Sequence, residues 1–203
     1  RQKAGVVLIV LAIIGSTATV ATSAIAEGDK QLAQLKEQLQ SPTTSPSVPS
    51  DVNNPGLWVT GDSVILGIRF ELDSRQPIGL INARVGRQAT ELLEVITNDK
   101  ANMSMATIVL NMGNNNKLTE EQVAAIFEEI KDQPRIVVVN TAVPRAWRDE
   151  NNALIAQYAS LYGAFLVDWA AISQGRSEYF GADGVHLVPA GVRAYVDAIT
   201  AQL

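Results

Sequence analysis

The chain has 203 residues, 47% of them hydrophobic, with a formal net charge of −5; that is enough for one domain with a real core, plus an extra segment. There is no long basic run, which argues against a nucleic-acid partner, because phosphate binding needs a positive surface. Cysteine is absent and His186 is the single histidine. Disulfides, thiolate metal sites, cysteine nucleophiles and histidine-rich metal centres are therefore excluded, no metal or other cofactor is expected, and any histidine base must be His186.

The first residue is Arg1, not Met, so the chain is expected to be part of a longer protein. Residues 5–26 carry no charge. At helical rise that run spans about 33 Å, near the thickness of a bilayer's hydrocarbon core. Two readings of it lead over a buried core helix: a membrane span, or a signal-like segment with Arg1 and Lys3 as its basic end and Ala24-Ile25-Ala26 as its cleavage site. Both place the rest of the chain outside the cytoplasm, since Arg1 and Lys3 precede the run while Glu27 and Asp29 come after it. Residues 28–54 read as a polar linker whose second half is rich in Ser, Thr and Pro and unable to bury a core. The organisation expected is thus 1–27 membrane or signal-like segment, 28–54 tether and 55–203 folded domain.

Within that domain apolar runs alternate with amphipathic stretches. Residues 57–60, 106–111, 135–140 and 164–168 are short and apolar, the middle two β-branched as buried parallel strands should be. Helical patterns cover 88–96, 119–131, 148–162 and 190–203; the second opens with Thr119 and Gln122 at capping-box spacing. The alternation predicts an α/β fold, a three-layer α/β/α sandwich with a mainly parallel sheet.

In such folds sites lie beyond the carboxyl ends of the strands. Three polar clusters fall there: Gly61-Asp62-Ser63, then residues 111–116 (Asn-Met-Gly-Asn-Asn-Asn), then Asp183-Gly184-Val185-His186 before the last helix. Serine is a weak nucleophile at its own pKa and needs a base. Asp183 and His186, three apart on a loop, are spaced so that the carboxylate holds one ring nitrogen while the other faces Ser63. The asparagine run offers amide donors for an oxyanion.

These blocks resemble the SGNH (GDSL-like) hydrolases. Gly61-Asp62-Ser63 matches the first block, Gly86 the glycine block, Gly113-x-Asn115 the third and Asp183-x-x-His186 the last, in the family's order over 57–203. Val64 stands where many members have leucine and Asn116 where many have aspartate. A narrower likeness, to the extracytoplasmic domains of two-part bacterial peptidoglycan or surface-polysaccharide O-acetyltransferases, rests on residues 85–88 (Val-Gly-Arg-Gln), 139–147 (Val-Asn-Thr-Ala-Val-Pro-Arg-Ala-Trp), 166–169, 178–180 and 183–187.

The resemblance implies an acyl-serine mechanism. Ser63 would be the nucleophile, His186 the base and Asp183 its orienting partner; the Ser63 and Gly86 backbone amides and the Asn115 side chain would form the oxyanion hole, and Arg145 and Trp147 a substrate wall. It implies a cell-wall or surface glycan as acceptor and an upstream multi-span membrane acyltransferase domain as acetyl supplier. It also implies a cell-membrane location with the catalytic domain outside. An esterase, lipase or deacetylase that hydrolyses an acyl ester uses the same triad and differs only in whether water or a sugar resolves the acyl-enzyme.

Overall fold

The computed structural model describes residues 56–103 and 106–203, all within one unit, 45–203. The segments read above as membrane span and tether lie outside the described residues. Five strands, β1 (Leu57–Gly61), β2 (Ile78–Ala83), β3 (Thr107–Asn111), β4 (Arg135–Val139) and β5 (Phe165–Val167), form one sheet in the order β2-β1-β3-β4-β5, and every pair is parallel. Parallel neighbours cannot be joined by tight turns, so helices make the connections. These are α1 (Ser63–Arg75), α2 (Ala89–Asp99), α3 (Glu120–Ile130), α4 (Arg148–Leu161), the short α5 (Trp169–Ile172) and α6 (Pro189–Thr200).

The central strands are buried on both faces, and their two-residue period divides the core. Ile108, Leu110, Ile136 and Val138 pack with Leu92 and Ile96 of α2, Ile126 and Phe127 of α3 and Ile155 of α4. Val109, Val137 and Val139 point the other way, to Ile65, Ile68 and Leu72 of α1 and Tyr195, Val196 and Ile199 of α6. The fold is therefore three-layered, as the β-α alternation predicts. Helix α3 begins where expected: Thr119 accepts from the Gln122 amide and the Gln122 side chain accepts from the Thr119 amide.

Three elements are absent from the sequence reading, the one-turn α5 and two longer ones. Helix α1 opens Ser-Val-Ile-Leu-Gly, a β-branched run interrupted by a glycine that mimics a strand and its end. Strand β2 contains Gly79 and Asn82, comes just after Pro77 and sits at the sheet edge only partly buried, so its apolar signal is weak. Among the described residues no helix is long and apolar enough to cross a membrane, and no group of three or more His, Asp or Glu side chains is placed to hold a metal.

Because every strand runs the same way, the loops after β1, β3, β4 and β5 emerge at one end of the sheet. The loop after β3 is held by Asn151, a fully buried side chain on α4. Its Nδ2 donates to the carbonyls of Gly113 (3.0 Å) and Asn116 (2.9 Å), and its Oδ1 accepts from the Leu118 amide at 2.8 Å. Cutting this side chain back to a methyl group would strand all of these backbone partners away from water. Asn151→Ala is expected to destabilise the domain by roughly 2–4 kcal/mol, read as a lower urea midpoint at unchanged m-value; a midpoint within error of the parent would show that the loop does not depend on this side chain.

Candidate active site

The site begins at the end of β1. Gly61 passes so close to its neighbours that a Cβ there would lie 2.6 Å from Ile65 Cγ1 and 3.0 Å from the Asn111 carbonyl, so only glycine fits. Asp62 then caps α1: its Oδ1 accepts from the Val64 amide at 2.9 Å. This puts Ser63 in the first helical turn, where backbone N–H groups have no intrahelical acceptor and the helix dipole presents its positive end.

Ser63 Oγ lies 3.0 Å from His186 Nε2, and His186 Nδ1 lies 2.6 Å from Asp183 Oδ2. The three residues that the motifs single out are thus brought into one hydrogen-bonded line. Asp183 is further fixed through Oδ1, which accepts from the amides of Val185 (2.9 Å) and His186 (3.0 Å). Partial burial works to raise the Asp183 carboxyl, but the hydrogen bonds from the His186 ring and these two amides outweigh it and hold it below the ordinary carboxylate range. An ionised Asp183 accepts only, so Nδ1 carries the proton, Nε2 presents its lone pair, and the Ser63 hydroxyl donates to it. The loop carrying the pair is closed on itself: Gly181 N–H donates to the His186 carbonyl at 2.7 Å, and Phe180 and Leu187 form an antiparallel bridge. Beneath it Trp169 stacks on Tyr179 and meets the edge of Tyr195, with ring centroids 5.8 and 4.9 Å away.

Asp62 is nearly inaccessible to solvent. Burial pushes its carboxyl above the ordinary value, against hydrogen bonds from Val64 and Asn114 and the charges of His186 and Arg87. Its Oδ2 accepts from Asn114 Nδ2 at 2.9 Å and from Asn115 Nδ2 at 3.0 Å. The second hydrogen of the Asn115 amide goes to the Arg87 carbonyl at 3.2 Å. Asn115 therefore stands beside Asp62, the residue before Ser63, with both amide hydrogens engaged.

Gly86 occupies the third position of a turn closed by Arg87 N–H on the Arg84 carbonyl at 3.2 Å. Its φ of +72° is the left-handed conformation that such a turn requires there, and the space above its Cα is open. Next to it Arg87 is buried, its guanidinium donating to the carbonyls of Gly61 and Asn82 and to Asn82 Oδ1. This one side chain ties the end of β1 to β2, and its own carbonyl receives Asn115. Arg87 enters the sequence reading only as part of a motif, and nothing in the pattern marks it as buried.

The segment after β4 spans the two outer loops. Trp147 Nε1 donates to the Gly113 carbonyl at 3.2 Å, while Pro144 lies against Gly184, where a Cβ would be 3.4 Å from Pro144 Cγ. Arg145 is exposed, and its side chain makes no hydrogen bond or ion pair with a described residue. Trp147 and Arg145 thus sit at the rim between the asparagine loop and the Asp183–His186 loop.

No protein-family model matches the chain. It is 39% identical over 141 residues to peptidoglycan O-acetyltransferase OatA of Listeria monocytogenes, an alignment covering 69% of this chain and 22% of that protein. The chain spans about a quarter of the length of the curated relatives it matches. Among solved structures it superposes on the C-terminal catalytic domain of Streptococcus pneumoniae OatA, determined with a methylsulfonyl adduct, with a TM-score of 0.60 at 22% identity, covering 74% of this chain and 93% of that one. A GDSL-like lipase from Bacteroides thetaiotaomicron gives a TM-score of 0.60 at 18% identity over 76% of this chain and 90% of its own. The chain thus has the fold of the SGNH (GDSL-like) hydrolase superfamily and is related in sequence to the OatA-type peptidoglycan O-acetyltransferases.

Proposed function

We propose that this domain is a serine-dependent O-acetyltransferase that carries an acetyl group on Ser63 and passes it to a hydroxyl of an extracytoplasmic glycan, peptidoglycan by the relationship to OatA. The observation that carries the reading is the Ser63–His186–Asp183 line, with Oγ to Nε2 at 3.0 Å and Nδ1 to Oδ2 at 2.6 Å.

In the first half-reaction Ser63 Oγ attacks the acetyl carbonyl while His186 Nε2 takes the hydroxyl proton. Negative charge develops on the carbonyl oxygen, and the positive end of α1 and the Ser63 N–H face it. The amide of Asn115 reaches that oxygen by exchanging one of its present acceptors for it. The bond to the donor's oxygen breaks, His186 returns the proton to that oxygen, and acetyl-Ser63 remains. In the second half a glycan hydroxyl attacks, His186 takes its proton, the new ester bond forms, and the bond to Ser63 Oγ breaks as the proton returns to it. Asp183 stays ionised throughout and stabilises the imidazolium. Arg145 and Trp147, at the rim, contribute to the wall along which the substrate lies.

We place this domain outside the cytoplasm, held by residues 1–27 as a membrane span and 28–54 as tether. Such an anchor puts it beside the wall polymer and beside a multi-span membrane acyltransferase domain that delivers the acetyl group. The uncharged run at 5–26 and its flanking charges support this arrangement.

Ser63→Ala is expected to form no acetyl-enzyme from an activated acetyl ester and to resist sulfonylation by methanesulfonyl fluoride, both followed by intact mass. His186→Ala is expected to slow acetylation of Ser63 by about 10³-fold or more, because no other residue supplies an imidazole. Acetylation of His186→Ala at the parental rate would overturn the assignment of the base. For the layout, residues 55–203 alone are expected to remain folded and to acetylate Ser63 from a soluble ester as fast as the full chain; a requirement for the first 54 residues would refute the separation into anchor and catalytic module.

A further inference from the structure

Beyond the carboxyl ends of β4 and β5, at the same end of the sheet as the triad, runs a groove of about 600 Å³ between α4 and the segment that begins with α5. That volume lies in the range of small-molecule sites, about 300–1,000 Å³. Ala142 and Phe180 line this groove and also line the small void bounded by Val64 and Val185, the neighbours of Ser63 and His186. No triad side chain lines the groove; it meets the histidine loop through Phe180, whose bridge to Leu187 closes that loop.

The lining has a definite chemistry. Asn140 fixes Asp168: its Nδ2 donates to Asp168 Oδ1 at 2.7 Å, and the Ala171 amide donates to the same oxygen at 3.1 Å. Asp168 Oδ2 is left without a donor among the described residues. Arg148 spends its Nε on Asp149 Oδ1, and its two terminal nitrogens donate to no described residue. Among the described residues the Gln174 side-chain amide is likewise free, with only its backbone engaged. Between these groups the floor is small, formed largely by alanines and Gly175. One guanidinium, already paired, against two carboxylates disfavours a phosphate or another anion. With Leu166 as its one large aliphatic side chain, the lining disfavours an acyl chain. Free acceptor and donor groups spread over a small floor, with one aromatic edge at Phe180, suit the vicinal hydroxyls and apolar ring face of a neutral sugar.

We propose that this groove is the acceptor subsite, holding one or more saccharide rings next to the ring whose hydroxyl attacks acetyl-Ser63. The proposal rests on the acetyl-transfer reading and adds to it a physical reason for transfer. His186 and Asp183 have side chains 43% and 51% exposed, so the base that would activate the second substrate is open to water. A sugar competes with water only if its hydroxyl is held at high effective concentration, which a neighbouring subsite provides.

The test uses the full chain, loaded with acetyl on Ser63 from an activated ester, and a β-1,4-linked N-acetylglucosamine pentamer as acceptor. Methanol, which needs no subsite, serves as the reference acceptor, and transfer is read as the pentamer-to-methanol ratio. Ala171→Trp fills the groove without removing a hydrogen-bonding side chain, and Gln174→Leu removes a free amide. The ratio is expected to fall about tenfold in Ala171→Trp and several-fold in Gln174→Leu, the scale of one or two lost sugar contacts. An unchanged ratio in both variants, with the parent transferring to the pentamer, overturns the groove while leaving the transferase reading intact. A parent that acetylates methanol and water but never the pentamer overturns the choice of acceptor itself, and the groove proposal with it.

Discussion

The buried carboxylate of Asp62 is the point on which the site is assembled. One oxygen caps α1 and so fixes where the helix starts and where Ser63 stands in its first turn. The other collects the amides of Asn114 and Asn115 from a loop more than fifty residues away in sequence. A carboxylate nearly shielded from water survives only with such partners, because unpaired it would cost several kcal/mol. The demand works in both directions: the asparagine loop satisfies Asp62, and Asp62 anchors the loop beside Ser63. Arg87 adds a third strand end by donating to Gly61 and Asn82 while its carbonyl receives Asn115.

The histidine arm is built on different physics. Its loop is short, exposed on one side and pinned by backbone bonds: Asp183 Oδ1 accepts from two amides, Gly181 donates to the His186 carbonyl, and the bridge at Phe180 and Leu187 closes the ends. The aromatic packing of Trp169, Tyr179 and Tyr195 supports it from the core side. In the proposed reaction, a rigid base on an open face suits a second substrate that is a polymer arriving from solution. An enclosed pocket would exclude such a substrate.

This division assigns separate tasks to separate parts of the sheet. The switch between β1 and β3 holds Ser63 and the amides gathered on Asp62, the setting in which open α/β sheets place their ligands. The ends of β4 and β5 hold polar side chains that take no part in the triad. In the proposed reaction the first region sets the rate of acetylation and the second sets who receives the acetyl group. Trp147, bonded to the Gly113 carbonyl, and Pro144, against Gly184, join the two regions along the rim.

Strand and helix periodicity determined the layered α/β class, because β3 and β4 must be apolar on both faces when helices cover both. The hydrogen-bonded line of Ser63, His186 and Asp183 was legible because each member sits in a short local block and because His186 has no competitor in the chain. Local pattern failed at α1, whose β-branched start and Gly67 hide a helix stabilised by burial and by its Asp62 cap, and at β2, a half-exposed edge strand. It was also silent on Asn151 and on the burial of Arg87, since an asparagine or arginine in sequence looks the same whether it faces water or holds three backbone groups in the interior. Which polar side chains satisfy which buried partners depends on chain segments brought together across the sheet ends. Only the tertiary structure decided that Asn115 would meet Asp62 and Arg87, and that a polar groove would open beyond β4 and β5, because both are consequences of where the parallel strands end relative to one another.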